Sequence, residues 1–597
     1  MYVNEFLITV RLTRRPRTSK YFLEFRYYPP LISKIKELPV HARRWNGKQW
    51  EIEVIYLMAL IKSYKGSNKI FFDFGNKKTE FINIYNNQLQ KELEKKQKLE
   101  DSIKKQESAK ELKNFLKDNY HIVDYSKYLK EGVKPYPHQI IGAKFANELG
   151  SCIIAADMGT GKTILSLLAS EMKGNDWDKV FVIVPNSLKL NWRNEIIKFT
   201  NSKWYVLDNT FKNNVYDISE CKYIITNYEY FRNSNFDVKS KLIDKGIDPK
   251  IIKAIIFDEA HKLKNTKSNT YKNITKTFKK SVENYLLLSG TIMPNKLEEL
   301  YVSLNLILPE EFTSKNRFYE EYCGLKYDIN YGWQTIEKPS LEKVFNKLDG
   351  IMYRVKREDV LKDLPDISIN MITVEMDSKE EKVYKEIEDG FLNVDWNSSN
   401  MIKTENEDVN PLVILGRLRK YTSKIKKSVV SDFVKTLNDQ GEKVVIFDVF
   451  KDSLMLLAEE MKDNSAYYGG SVSSEKRQEL VDRFQHKESN LKNLFVTAQT
   501  GNAGITLTAA SHMILISQSY VPGENEQMYA RIHRIGAKNN CNIYIFAIEN
   551  SVDEEVYKLV NEKLKVISKV IDNVDFTDNV KTSIVDELLK TYKTKYK

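Results

Sequence analysis

A chain of 597 residues is too long for a single hydrophobic core and implies two or three domains. Its composition, 42% hydrophobic and 29% charged, is that of an ordinary globular protein, and no run approaches the roughly 20 consecutive apolar residues that a membrane span needs. The net charge is +12, and residues 1–90 hold 16 Lys/Arg against 7 Asp/Glu, so most of the excess sits at one end. That asymmetry suggests a polyanion-binding module joined to a near-neutral remainder. Four widely spaced cysteines with no Cys-x-x-Cys pair argue against zinc sites and disulfide frameworks.

The opening MYVNEFLITVRLTRRPR has only a brief apolar run followed by basic residues, which is not the pattern of a secretory signal, so a cytoplasmic setting is expected. Residues 5–12 and 21–28 are strand-like, and VIYLMALIKSY has helical spacing before the short strand IFFDF. Residues 1–86 therefore read as a small basic α+β domain. Residues 87–119 are dominated by Lys, Glu and Gln, with interleaved charge signs, so 87–129 reads as a charged, solvated helical linker.

From residue 130 the pattern becomes α/β. The runs SCIIAA, VFVIVP, YIIT, AIIFDE and YLLLSG read as parallel strands covered on both faces, and KVVIFD, NLFVTA, HMILIS and NIYIFAI form a second set. Two doubly wound parallel-sheet lobes with helical insertions are expected, over 130–365 and 366–597.

Three motifs carry chemistry. Directly after SCIIAA, the loop Ala156-Asp157-Met158-Gly159-Thr160-Gly161-Lys162-Thr163 leads into a helix. Such a loop turns backbone N–H groups towards phosphates, with Lys162 reaching the β/γ-phosphates and Thr163 holding Mg²⁺. Asp258-Glu259-Ala260-His261 closes the strand AIIF, so Asp258 would support Mg²⁺ and Glu259 would orient the attacking water. In the second set of strands, Arg531 and Arg534 have the spacing of neighbours on one helical face and would act as arginine fingers on a nucleotide held by the first lobe.

Seven segments in this order resemble the motifs of superfamily-two helicases, and their wording resembles the Swi/Snf-related branch, with RecA-like lobes. The resemblance covers about residues 130–560. It implies that Gln139, in YPHQ, reads the adenine base, and that Met158, Gly159, Thr160 and Gly161 belong to the ATP site. The segment VPNSLKLNW resembles a strand-gripping element, which makes Pro185, Asn186, Lys189, Asn191 and Trp192 expected DNA contacts, with Thr497 in the second lobe. His261, the triplet Ser289-Gly290-Thr291 and Gly504 would couple hydrolysis to motion. DEAHKLKN continues as this branch does, LSGTIMPNKLEEL adds Asn295 and Leu300, and YRVKREDVLKDLP resembles the branch's passage between lobes. Ala156, Ala530 and Ala537 depart from the usual pattern without removing a charge the chemistry needs.

Within the branch the chain is most similar to the annealing helicases. Its segment IKELPVHARRWNGKQWEI looks like their accessory domain, with Arg43, Arg44, Trp45 and Trp50 as candidate DNA contacts. Residue types alone leave two readings of the indoles open: they stack on bases or they anchor a small core. The expected activity is ATP-dependent, Mg²⁺-supported translocation on duplex or forked DNA, remodelling or annealing branched structures. A strand-separating helicase and an ATP-switched factor acting on a protein partner are the alternatives. Abundant Lys, Asn, Ile and Tyr suggest an AT-rich bacterial, phage or viral genome.

Overall fold

The computed structural model describes residues 8–572 except 66–68, 209–213, 233–236, 279–280, 294–295, 329–331, 361–363, 391, 395–400, 404–410, 499–504 and 535. The chain divides into two compact units, Met1–Lys104 and Lys105–Lys597.

The first unit is the expected α+β domain. Strands β1 (Ile8–Arg14), β2 (Lys20–Glu24), β3 (Arg43–Trp45), β4 (Trp50–Glu53) and β5 (Ile70–Asp73) form a mixed sheet in the order β3-β4-β2-β1-β5. Helices α1 (Pro29–Glu37) and α2 (Val54–Ser63) supply Leu31, Ile35, Leu57 and Leu60 to its core, alongside Val10, Leu23 and Ile52. A 42-residue helix, α3 (Lys78–Asn119), carries the chain on into the second unit. It is almost entirely solvated over residues 87–108, but Ala109 and Leu116 are buried in the adjoining lobe's core. The solvated linker is therefore shorter than composition suggests, because two apolar positions a helical face apart suffice to dock the last turns.

The second unit holds two parallel sheets. In lobe 1, β6 (Cys152–Ala156), β7 (Val180–Val184), β8 (Trp204–Val206), β9 (Tyr223–Asn227), β10 (Ala254–Asp258), β11 (Asn284–Ser289) and β14 (Met352–Val355) lie in the order β14-β6-β11-β10-β7-β9-β8. Each paired neighbour runs parallel. The hairpin β12 (Leu325–Asp328) and β13 (Gly332–Thr335) stands apart from this sheet. Alternation explains the continuous apolar runs: Ile255 and Phe257 face one core while Ala254 and Ile256 face the other.

Lobe 2 repeats the plan. Its strands are β15 (Ile367–Val374), β18 (Val444–Asp448), β19 (Ser465–Tyr468), β20 (Asn493–Thr497), β21 (His512–Leu515) and β22 (Cys541–Ile548), in the order β15-β22-β21-β18-β20-β19. A small separate pair, β16 (Leu392–Val394) and β17 (Met401–Lys403), precedes β18. The last described helix, Val552–Asp572, starts in the core of lobe 2 with Val552, Val556 and Val560 and finishes in the core of lobe 1 with Val570 and Ile571. All four cysteines are free and buried. No described helix is long and apolar enough to cross a membrane.

Phe257 is fully buried at the centre of the lobe 1 sheet. Phe257→Ala is expected to destabilise that lobe by about 3–5 kcal/mol, read as a lower urea midpoint in its unfolding transition.

Candidate nucleotide and nucleic-acid sites

The carboxyl ends of β6, β10 and β11 lie side by side, and the candidate nucleotide-binding segments leave from them. After β6, Gly159 and Gly161 take φ values of +86° and +84°, the left-handed region that favours glycine. Gly161 is also tightly approached, since a Cβ there would meet the Gln139 amide nitrogen at 2.2 Å. The loop then enters helix α5 (Lys162–Met172). Gln139, on helix α4 (Pro137–Leu149), is buried beneath the loop. Its Nε2 donates to the Thr160 carbonyl at 3.0 Å, and its Oε1 accepts from the Tyr136 N–H at 2.9 Å. Lys162 donates from Nζ to the Ala156 carbonyl at 2.9 Å, and Thr163 stands beside it at the start of α5.

Asp258 ends β10 with its carboxylate buried. Burial pushes its pKa up, with the charge of Glu259 adding to this, while the Trp192 hydrogen bond and Lys162 oppose it. Glu259 follows at φ +50°, a strained conformation for a residue with a Cβ. That turn points its carboxylate towards His261, whose Nδ1 lies 3.3 Å from Oε2. The same imidazole nitrogen is 3.1 Å from the Ser289 hydroxyl, which in turn accepts the Thr291 N–H at 3.1 Å. Burial pushes the His261 pKa down to about 4, so the ring is neutral at physiological pH. Glu259, His261, Ser289 and Thr291 thus form one contiguous chain.

Lobe 2 closes over this edge. Arg531 is wholly buried, with Nη2 3.7 Å from the Met158 sulfur. Burial lowers its pKa to about 10, Arg534 adding to the effect and Glu259 countering it. Arg534 donates to the Thr506 hydroxyl at 3.0 Å, and its Cγ would lie 3.4 Å from a Cβ placed on Gly159. The helical face expected for these two arginines is not what positions them. The helix Pro522–Tyr529 ends first, and both follow in a turn whose Arg531 carbonyl accepts the Leu507 N–H. The structure nevertheless brings Lys162, Asp258, Glu259, Arg531 and Arg534 to one cleft. Gly290 lies there too: a Cβ on it would be 3.7 Å from Lys162 Nζ. Asn295 and Gly504 fall outside the described residues.

Sequence reasoning missed the inner seam of the cleft. Arg354 donates to Asp157 at 2.6 Å and to Asp572 at 2.8 Å. Arg357 donates to the Met158 carbonyl at 3.1 Å and to the His533 carbonyl at 2.9 Å, tying the loop after β6 to lobe 2. The density of arginines in YRVKRED was the available signal. These groups line a cavity of about 830 Å³ together with Glu526.

The expected DNA contacts separate into groups. Asn186 and Asn191 are exposed, and Asn186 accepts a 2.6 Å hydrogen bond from Asn227. Pro185 is buried at the end of β7. Lys189 is buried and its ammonium is held by Asp208. Trp192 needs a correction: at 1% exposure its indole cannot meet a nucleic-acid backbone, and it donates to Asp258 Oδ2 at 2.8 Å instead. The resemblance of VPNSLKLNW to a strand-gripping segment misleads here because helix α6 (Lys189–Phe199) turns this position inward. Thr497, at the end of β20, is buried to 9% exposure. In the N-terminal unit, Arg44 and Trp45 are exposed, the latter at 51%. Trp50 is half-buried, with its ring centroid 5.3 Å from that of Trp45, and Arg43 donates to the Leu38 carbonyl.

Glu526 stands open to the water of the cleft yet is ringed by protein. That enclosure pushes its pKa up to about 7, Asp157 adding to it, Arg354 and Arg357 opposing it, and Asp572 adding a little more. A carboxyl with a raised folded-state pKa keeps its full stabilising effect below the unfolded value and loses it as pH rises towards the folded one. Glu526→Gln is therefore expected to raise the melting temperature relative to wild type increasingly as pH climbs from 4.5 to 7. A pH-independent difference would rule out this account of Glu526.

Residues 70–427 match the SNF2-related domain and residues 425–536 the helicase conserved C-terminal domain. The chain is 27% identical over 499 residues to an uncharacterized ATP-dependent helicase of Mycoplasma genitalium, covering 80% of this chain and 45% of that protein. It is 27% identical to the DNA annealing helicase and endonuclease ZRANB3 of Homo sapiens, covering 74% and 40%. For the uncharacterized ATP-dependent helicase YqhH of Bacillus subtilis the identity is 24%, covering 74% and 80%. The chain thus spans less than half the length of the first two relatives. Among solved structures, the Sulfolobus solfataricus SWI2/SNF2 ATPase core in complex with dsDNA aligns with a TM-score of 0.34 and 19% identity, covering 74% of this chain and 94% of that one. With a matched region that spans more than half of its length, the chain belongs to the SNF2-related family and continues into a helicase C-terminal domain.

Proposed function

We propose that this protein is an ATP-hydrolysing translocase on duplex or forked DNA, remodelling or annealing branched structures. The observation that carries the reading is the meeting of Arg531 with Met158, and of Arg534 with Gly159, above Lys162 and the Asp258–Glu259 pair. Two lobes that assemble one catalytic set only when apposed can turn nucleotide occupancy into relative motion.

In this reading Gln139 reads the adenine base and the glycines of the phosphate loop let backbone N–H groups approach the phosphates. Lys162 neutralises the γ-phosphate, and Thr163 and Asp258 hold Mg²⁺. The donor set fits a hard cation: a buried carboxylate, a hydroxyl at a helix start and the nucleotide's own oxygens. Bound Mg²⁺ supplies charge neutralisation for phosphoryl transfer. Glu259 orients water for attack on the γ-phosphate, and Arg531 and Arg534 stabilise the charge that develops. His261, Ser289, Gly290 and Thr291 relay the change to the lobe interface. A Cβ on Gly523 of lobe 2 would lie 2.5 Å from the Thr291 methyl, so the relay ends against the opposite lobe.

Asn186 and Asn191 touch one strand's phosphates in this reading, which their exposure supports and which fixes position without reading sequence. The N-terminal unit serves as an accessory DNA-binding domain, with Arg44 for phosphates and the exposed Trp45 for unpaired bases. Annealing activity in a relative, ZRANB3, supports the same direction for this chain.

Steady-state ATP hydrolysis with duplex, forked or single-stranded DNA, or RNA, tests the reading. Strong stimulation by duplex or forked DNA is expected, whereas stimulation only by single strands or RNA would replace it with a strand-separating helicase. Stimulation by a protein and by no nucleic acid would favour an ATP-switched factor. Lys162→Ala should abolish turnover and preserve DNA binding at low salt. Trp45→Ala should weaken binding to forked DNA by about 1–3 kcal/mol in fluorescence anisotropy, and leave binding to blunt duplex nearly unchanged.

A further inference from the structure

Asp258 is held from two sides by buried aromatic donors. The Trp192 indole N–H gives 2.8 Å to its Oδ2, and the Tyr228 hydroxyl gives 2.7 Å to its backbone carbonyl. The carboxylate's other oxygen accepts the Glu259 N–H at 3.0 Å. Trp192 and Tyr228 are 1% and 5% exposed, so neither bond competes with bulk water.

The two donors come from separate loops. Trp192 sits on α6, reached through the loop after β7, and Tyr228 begins the single turn after β9. β7 is the direct neighbour of β10, and β9 lies beyond it. At the surface the loops are joined again, since Asn227 donates to Asn186 at 2.6 Å and caps the turn by accepting the Tyr230 N–H. The loops therefore have two layers. Exposed Asn186 and Asn191 form the outer one, and Trp192 and Tyr228, both bonded to Asp258, form the inner one.

We propose that Trp192 and Tyr228 are positioning residues that couple a phosphodiester strand seated on the outer layer to the orientation of the Asp258 carboxylate. The inference rests on the DNA-dependent ATPase reading above. A strand that draws Asn186 and Asn191 into fixed places shifts α6 and the turn at Tyr228 as one body. Both donors then move with respect to β10, and the carboxylate follows the indole. Hydrogen bonds to a charged carboxylate are among the stronger ones, and their direction is specific, so a small displacement is felt at the acceptor.

The test uses the full chain with Trp192→Phe and Tyr228→Phe, which keep the rings and delete the donors. Four quantities are read: melting temperature, duplex affinity without nucleotide, the Mg²⁺ concentration that half-saturates binding of a fluorescent non-hydrolysable ATP analogue, and DNA-stimulated turnover. For Trp192→Phe, duplex affinity should stay within about twofold, while half-saturating Mg²⁺ rises and stimulated turnover falls by about tenfold each. Tyr228→Phe, a loss of one oxygen, should move Mg²⁺ dependence and turnover the same way. Unchanged Mg²⁺ dependence in both variants overturns the proposal. So does a loss of duplex affinity that accounts for the lost turnover, which would make the rings mere supports of the DNA surface. A wild-type enzyme indifferent to DNA would defeat the translocase reading, and the coupling with it, whatever the Mg²⁺ measurement returned for Asp258 positioning alone.

Discussion

Parallel strand direction is the constraint on which the cleft depends. In lobe 1, β6, β7, β9, β10 and β11 all run the same way, so their carboxyl ends open onto one edge. Register then decides which residues meet: Ala155 stands opposite Ser289 and Asp258 opposite Leu288. A slip of one residue would turn each side chain to the other face of the sheet. The apolar cores on both faces forbid that slip, because Ile255 and Phe257 would exchange environments with Ala254 and Ile256. Hydrophobic packing far from the cleft is thus what aligns the loop after β6 with the Asp258 carboxylate.

The cleft itself is built from groups that are costly to bury. Arg531 has no exposed surface, Arg354 is shared between two carboxylates, and Glu259 holds a left-handed backbone. Buried charges are tolerated when partners stand close, and removing a partner leaves an expensive orphan. Such a site has few compromise geometries. It favours discrete arrangements of the lobes over gradual deformation.

Much of this was legible in residues alone. The two sets of apolar runs marked the sheets, and the Gly159–Lys162 loop and the DEAH segment stand at strand ends as those runs placed them. What escaped was contact between elements far apart in sequence. Nothing local to Trp192 says that its indole reaches Asp258, 66 residues away, and the strand-gripping motif around it suggested the opposite face. Arg531 and Arg534 fit a helical spacing, yet a turn positions them, because the chain there also serves Leu507. Arg354 and Arg357 were visible as charge, but their partners Asp157, Asp572 and His533 come from three other segments. The N-terminal indoles divide along the same line: Trp45 is open and Trp50 half-covered, which composition could not separate.

The helix Val552–Asp572 begins in one lobe's core and ends in the other's, with its terminal carboxylate clasped by Arg354 and Lys356. A 21-residue helix is a rod of roughly 30 Å, stiff over that length. Anchored at both ends, it spans the distance between the two cores it enters. Drawing the lobes apart would pull Val570 and Ile571 of the last turn out of the lobe 1 core. The separation of the two cores is in this sense a geometric property of the final described helix, and lengthening or shortening that rod by a turn would reset it.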